Sequence, residues 1–282
     1  MAKKKQEKQM PEFYASCLGN PVLNYEVYYM SRMENILYTL VVFVIGGLVG
    51  LVFYGGLFKE DGDRTLATLI SNVVIFLLIG FAAWKIFFPA INRSLKSKRD
   101  NKLRKQFLNL MESLVASLSS GNTVIDSFRN ARSDLLNQYS EKDYIIQELT
   151  EIISGIDNGQ TIEIMLMDFG ARSGNEDIQN FANVIGNCYR MGGNFKDVVR
   201  KTRDVIADKM AIEDEIETKL SSNKLQLNAM CLMPIALVGL LKVTNESFSA
   251  NLSSLVGVLV TTVAIGLFLA AYFWGQKIID VR

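Results

Sequence analysis

Cysteine is the side chain in this sequence whose type most readily suggests nucleophilic or metal-binding chemistry, and its spacing supports neither. Cys17, Cys188 and Cys231 are scattered, with no C-x-x-C pair and no even number from which to build a disulfide framework. They read as small apolar residues suited to a reduced cytoplasm or a membrane interior. The 282 residues contain no histidine. That removes Ser-His-Asp and Cys-His machinery, His-bearing zinc sites, a phospho-accepting histidine and haem held by histidine. No G-x-x-x-x-G-K-[ST] loop is present to cradle a nucleotide, and no G-x-G-x-x-G follows a strand. The expectation is a protein that is not an enzyme, with no catalytic residue, no cofactor and no metal.

The spacings that do carry information are structural. Gly121-Asn122-Thr123, Gly159-Gln160-Thr161 and Gly193-Asn194-Phe195 each follow one apolar helical stripe and precede another. A glycine just past a helix end takes the left-handed conformation at little cost, and a following Asn or Thr can cap the next helix. The stripes are explicit. Leu103, Phe107, Leu110, Met111, Leu114, Val115 and Leu118 recur at helical spacing, and Ile178, Phe181, Ala182, Ile185 and Cys188 repeat the pattern. From Phe195 the helical period runs on through Ser222 toward Pro234. Phe195, Val198, Val199, Val205, Ile206, Ile212, Ile216 and Leu220 mark its inner face. No run alternates with period two over a useful length, so strands are not expected.

These helices must be positioned by something else, and four apolar blocks supply it: Ile36–Phe58, Leu66–Phe88, Leu225–Leu241 and Leu252–Trp274. A bilayer core takes ~20 apolar helical residues. The first, second and fourth blocks meet that length. The third is shorter and holds Pro234, but an even number of spans makes the charge pattern consistent. Lys3, Lys4, Lys5, Lys8 and Arg32 precede the first block, seven basic residues from Arg93 to Lys105 follow the second, and Lys277 and Arg282 follow the fourth. The connections between paired blocks hold only Lys59 with Arg64, among three acids, and Lys242. Lysine and arginine are retained on the cytoplasmic side, so both termini and the central segment are expected there.

The resulting expectation is an all-α membrane protein with four transmembrane helices. Residues 1–35 form a cytoplasmic segment able to lie as an interfacial helix or to stay disordered. Two spans occupy 36–88, a cytoplasmic helical body 89–225, two further spans 226–275, and a cytoplasmic tail 276–282. The blocks contain no Asp or Glu, which argues against a proton or ion relay. Gly46 and Gly50 make a G-x-x-x-G, and Gly266 with Ala270 a similar small pair, either of which allows close helix packing. Between Gln106 and Lys224, 12 basic residues face 19 acidic ones, so nucleic acid is not an expected partner. The basic collar from Arg93 to Lys105 suits anionic lipid headgroups instead.

The order of these motifs resembles a known family. Phe107-x-x-Leu110-x-x-x-Leu114-x-x-x-Leu118-x-Ser120-Gly121, then Asn122-Thr123-Val124 and Ser127-Phe128, resembles the opening of a type II secretion system F domain. So do Gly159-Gln160-Thr161-Ile162 leading to Phe169-Gly170-Ala171-Arg172, and Asp177-Ile178-x-x-Phe181 leading to Met191-Gly192-Gly193-Asn194-Phe195. The span bearing Met233-Pro234 completes the pattern. One F domain between two pairs of spans is similar to Tad-type (TadB/TadC-like) inner-membrane platform proteins of pilus assembly. The resemblance marks Gly121, Asn122, Gly159, Gly192, Gly193, Asn194 and Pro234 as structural motif residues. It implies a non-catalytic platform in the cell inner membrane, of the Tad, type IV pilus or type II secretion kind. The implied partners are a secretion or pilus-assembly ATPase, a second Tad-type platform protein, pilin subunits and the lipid bilayer, within an oligomer. The alternative, from the bare layout, is a membrane signalling adaptor or receptor with a helical cytoplasmic bundle. Such a receptor would call for a sizeable external domain, and both external loops are short.

Overall fold

The computed structural model describes residues 11–57, 66–190 and 194–279. Among these, the chain is helical apart from one short hairpin. Strand β1 (Phe13–Ala15) pairs antiparallel with β2 (Pro21–Leu23), Phe13 opposite Leu23. Nine helices follow among the described residues: α1 (Arg32–Tyr54), α2 (Leu66–Ser119), α3 (Val124–Leu135), α4 (Tyr144–Asp157), α5 (Ile162–Arg172), α6 (Glu176–Arg190), α7 (Phe195–Thr244), α8 (Glu246–Leu252) and α9 (Leu255–Ile279).

The chain divides into two compact units, one of residues 1–29 with 92–212 and one of residues 30–91 with 213–282. Helices α2 and α7 each pass from one unit to the other as a single element, as the unbroken periodicity from Phe195 implied.

The first unit is a helical body with a single core. Leu103, Phe107, Leu110, Met111 and Leu114 of α2 are buried against Phe128 and Ala131 of α3, Ile145, Ile146 and Leu149 of α4, Phe169 of α5 and Phe181 and Ile185 of α6. Phe107 sits edge-on to Phe181, ring centroids 5.2 Å apart. Of the α7 positions expected to face inward, Phe195, Val199 and Ile206 are buried. Val205, Ile212 and Ile216 are exposed instead. Buried positions on α7 end at Met210, so beyond it the apolar period continues with no core to meet it.

The second unit holds α1, α9 and the apolar parts of α2 and α7. Four helices here are long and apolar enough to cross a membrane, and α1 and α2 pack closely. A Cβ on Gly46 of α1 would run into the Ala83 methyl group, and one on Gly80 of α2 would lie 2.8 Å from the carbonyl oxygen of Phe43. Glycine at both places is what lets the two backbones approach.

The N-terminal segment departs from the expected interfacial helix or disorder. Its described part is the β1–β2 hairpin, followed by a turn at Tyr25–Glu26 and irregular chain to Ser31, which caps α1 in a reciprocal box with Glu34. Strands of three residues are too short to show alternation, and their stability comes from residues far away in sequence.

Candidate functional site

The glycine corners lie at separate helix junctions. Gly121 and Gly159 both stand at φ +85°, the left-handed region, with open space where a side chain would project. At the first corner the Asn122 side chain donates to the Ser117 carbonyl at 3.1 Å, and Thr123 Oγ1 accepts from the Asp126 amide at 3.2 Å. At the second, Thr161 precedes α5 without a side-chain cap bond. Gly192 and Gly193 fall outside the described residues. Asn194 caps α7, its Oδ1 accepting from the Asp197 amide at 3.4 Å. Pro234 lies inside α7 without ending it. Of the described residues among them, Gly121, Asn122, Gly159 and Asn194 turn or cap helices, Pro234 lies within one, and they do not converge on one site.

What does converge is a set of charged and aromatic side chains around the hairpin. Arg172, at the end of α5, faces Glu148 of α4 bidentately, Nη2 to Oε2 at 2.8 Å and Nη1 to Oε1 at 3.0 Å. Its Nε reaches Asp168 at 2.8 Å and Nη1 also donates to the Leu23 carbonyl at 3.1 Å. The Tyr25 hydroxyl donates to Glu148 Oε1 at 3.0 Å, and the Tyr25 amide donates to the Arg172 carbonyl at 3.0 Å. Arg99 of α2 completes the grip. Its Nη2 donates to the carbonyls of Tyr25 and Val27 at 2.7 and 2.8 Å, and its guanidinium lies over the rings of Tyr25 and Tyr28. At the hairpin turn Ser16 donates to Glu151 at 2.5 Å.

The electrostatics follow from burial. Loss of solvent pushes the Glu148 carboxyl above its ordinary range, and Arg172 and the Tyr25 hydroxyl pull it back only in part. Burial, and then the Glu148 charge, raises the Tyr25 hydroxyl well above its usual value. For Arg172 burial opposes the charge, but the bonds and charges of Glu148 and Asp168 outweigh it and hold the guanidinium protonated. A buried acid beside a tyrosine is a pattern that can move protons. Here both Glu148 oxygens are already engaged and the side chain is enclosed. The arrangement ties a strand to helices.

The basic collar is spent differently from the lipid-facing patch the sequence suggested. Arg99 is buried under the hairpin chain, and Arg104 pairs with Asp177 at 2.8 Å. Lys102 pairs with Asp143 at 2.6 Å, and Lys96 lies 3.9 Å from Asp100. Lys98, Lys102 and Lys105 line an open hollow with Asn101, Gln106 and Tyr139. Much of the collar's charge therefore serves the body internally.

In the second unit, polar contacts gather at the C-terminal end of α1. The Lys242 ammonium of α7 donates to the carbonyls of Leu51 at 3.3 Å, Val52 at 3.1 Å and Gly55. The Leu51 carbonyl also accepts from the Gly55 amide at 2.8 Å, and the carbonyls at this helix end carry the negative end of the helix dipole, so a cation there is well placed. The Gly56 amide donates to Asn72 of α2 at 2.9 Å, and the Tyr54 and Thr262 hydroxyls of α1 and α9 are 2.9 Å apart. Three helices thus meet the end of α1 through side chains.

Sequence reasoning found the Gly121 and Gly159 corners and the core but missed both polar clusters. Arg172 stands within the Phe169-Gly170-Ala171-Arg172 motif, yet its partnership with Glu148 and Tyr25 reaches across most of the body. For α8 a local signal was present. Asn245 ahead of Glu246 is a helix start, and its Oδ1 accepts from the Phe248 amide at 3.0 Å.

Fold and contacts together define an all-helical protein whose four long apolar helices are compatible with a multi-pass membrane protein. Comparison of the chain with protein-family models, with curated proteins and with solved structures gives no match.

Proposed function

We propose that this chain is a non-catalytic inner-membrane platform of a Tad, type IV pilus or type II secretion-like machine. In that role it couples a cytoplasmic assembly ATPase to pilin extraction and filament growth. The observation that carries the reading is the continuity of α2 and α7. Each runs from an apolar stretch able to cross a bilayer into the helical body, so the body is bracketed by two unbroken helices. Helix α7 has no glycine and no other proline between Asn194 and Pro234, and Pro234 removes one backbone hydrogen bond where the apolar stretch runs. A partner gripping the body would displace the spans through such arms. The lysine and arginine asymmetry supports a cytoplasmic body and termini. The motif order resembling the F domain supports the ATPase, a second Tad-type platform and pilins as partners.

Two experiments test this. Single cysteines at Asn158 and Glu246, labelled from outside intact cells, should react only at Glu246. Reaction at Asn158 would reverse the orientation. Inserting two glycines between Ser221 and Ser222 costs only ~2 kcal/mol of helix propensity. It should leave protein level and ATPase association intact while stopping filament formation. Normal assembly by that variant would make α7 a passive support.

A further inference from the structure

Helices α2 and α7 are two of the three covalent connections between the units. The third is the chain from the hairpin to α1, and it is held at both ends. On the body, Arg99 binds the carbonyls of Tyr25 and Val27 and lies 5.1 Å from the Tyr28 ring centroid. Arg172 and Glu148 hold Leu23 and Tyr25, and Glu151 holds the hairpin turn through Ser16 and Asn20. Helix α1 begins at Arg32, behind the Ser31–Glu34 capping box. Between the last residue gripped by Arg99 and the cap stand only Tyr29 and Met30. A chain spans at most ~3.3–3.6 Å per residue, so the three steps from Tyr28 to Ser31 reach at most ~11 Å however the link is drawn out. At its other end α1 is fastened to α7 by Lys242, to α2 by Asn72 and to α9 by Thr262.

From this layout we infer that α1 is a tension strut: the hairpin clamps its N-terminal link to the helical body, and its C-terminal end delivers a pull on that link to the other three apolar helices. The inference deepens the platform reading and rests on it for what the pull accomplishes. It assigns the N-terminal segment the role of a strap, and makes Arg99 a positioning residue rather than part of a lipid-binding collar. A strap works only in tension. Slack should therefore abolish transmission while every clamp contact persists.

The test uses the full chain. Gly-Ser-Gly-Ser is inserted between Tyr29 and Met30, leaving the Arg99 grip and all α1 contacts untouched, and filament assembly is measured beside a strain lacking the chain. Assembly should fall at least tenfold with protein level and ATPase association unchanged. If loss of the chain abolishes filaments while the slack variant assembles at the normal rate, the strut is overturned and the platform reading stands. If loss of the chain leaves filaments intact, the platform reading fails. Hydrogen exchange of the purified chain in lipid nanodiscs then decides the strut alone. Arg99→Ala, which removes the grip, should speed exchange at the Tyr25 amide and also, by at least threefold, at the Gly55 and Gly56 amides. The slack variant should speed exchange at Gly55 and Gly56 only. Release at Tyr25 with no change at Gly55 and Gly56 overturns the proposal. Should Arg99→Ala fail to fold, the slack variant carries the same comparison.

Discussion

The helical body and the span-bearing unit draw on the same apolar residue types and dispose of them in opposite ways. In the body, Phe107, Phe128, Phe169 and Phe181 are enclosed and the polar faces of the helices look outward. In the other unit, Leu225, Leu232, Met233 and Leu240 of α7 are all more than half exposed, and none of the most apolar window of that helix is buried. The body excludes water by packing side chains on one another. The second unit leaves its apolar surface for a solvent that is itself apolar, and packs closely where glycines let α1 and α2 touch. Burial is therefore a measure of stability in one unit and not in the other.

The largest expected effect separates the two directly. Phe181→Ala should destabilise the body by about 3–5 kcal/mol, the usual cost of emptying a phenylalanine site in a packed core. Leu232→Ala should shift stability by less than ~0.5 kcal/mol, as exposed substitutions do. Urea unfolding in detergent micelles, followed by near-ultraviolet circular dichroism, would read both. Comparable losses at the two sites would mean that the span-bearing unit has a protein core of its own.

Next comes the buried ion pair. Arg172→Ala leaves the buried Glu148 with the Tyr25 hydroxyl but no opposite charge and should cost about 3 kcal/mol. The hairpin should come free at the same time, so chymotrypsin should cut at the aromatic residues within 12–29 well before the body unfolds. Retained protection there would mean that Arg99 alone seats the strap.

Gly80→Leu should act in the second unit instead. A side chain at that position meets the Phe43 carbonyl and ring, and forcing α1 and α2 apart should cost about 1–3 kcal/mol. A cysteine cross-link between positions 54 and 262 should form less readily in this variant, while the unfolding of the body should be unchanged.

The smallest effect is a pH dependence. The hydrogen bond from Lys102 holds the Asp143 carboxyl below its ordinary range. A depressed carboxylate contributes stability above its unfolded value, ~3.9, and loses it as pH falls through the folded value. Lys102 is raised by the same bond, so its share fades only as pH climbs through that raised value. Lys102 is largely solvated and Asp143 half-buried at the surface of the body, so the gain is under ~1 kcal/mol. Asp143→Asn should lower the urea midpoint slightly at neutral pH and match the parent below pH 3.

How much of this was legible in the sequence depended on how far apart the cooperating residues stand. The α2 stripe and the unbroken α7 are local periodicities, and they were readable. So were the left-handed corners, which need only a glycine and a cap nearby. Val205, Ile212 and Ile216 misled because periodicity shows that a face exists but not where its partner stops. The hairpin was illegible for the opposite reason. Its three-residue strands carry almost no pattern of their own, and it is held by Arg99, Glu148 and Arg172 from three separate helices. Arg99 itself was counted with six other basic residues as lipid-facing charge, since composition does not reveal which arginine is turned inward.

The hairpin's grip also fixes an order of events during synthesis. Leu23 finds its partner in Arg172, 149 residues further along the chain. At ~5–20 residues per second that partner emerges roughly 7–30 s after the strand itself. During that interval α1 and the whole of α2 leave the ribosome, while the segment ahead of them waits for Glu148 and then Arg172. The clasp is thus among the last features of the body to close, and a nascent chain stalled before α5 would carry an unlatched N-terminus that a protease could find.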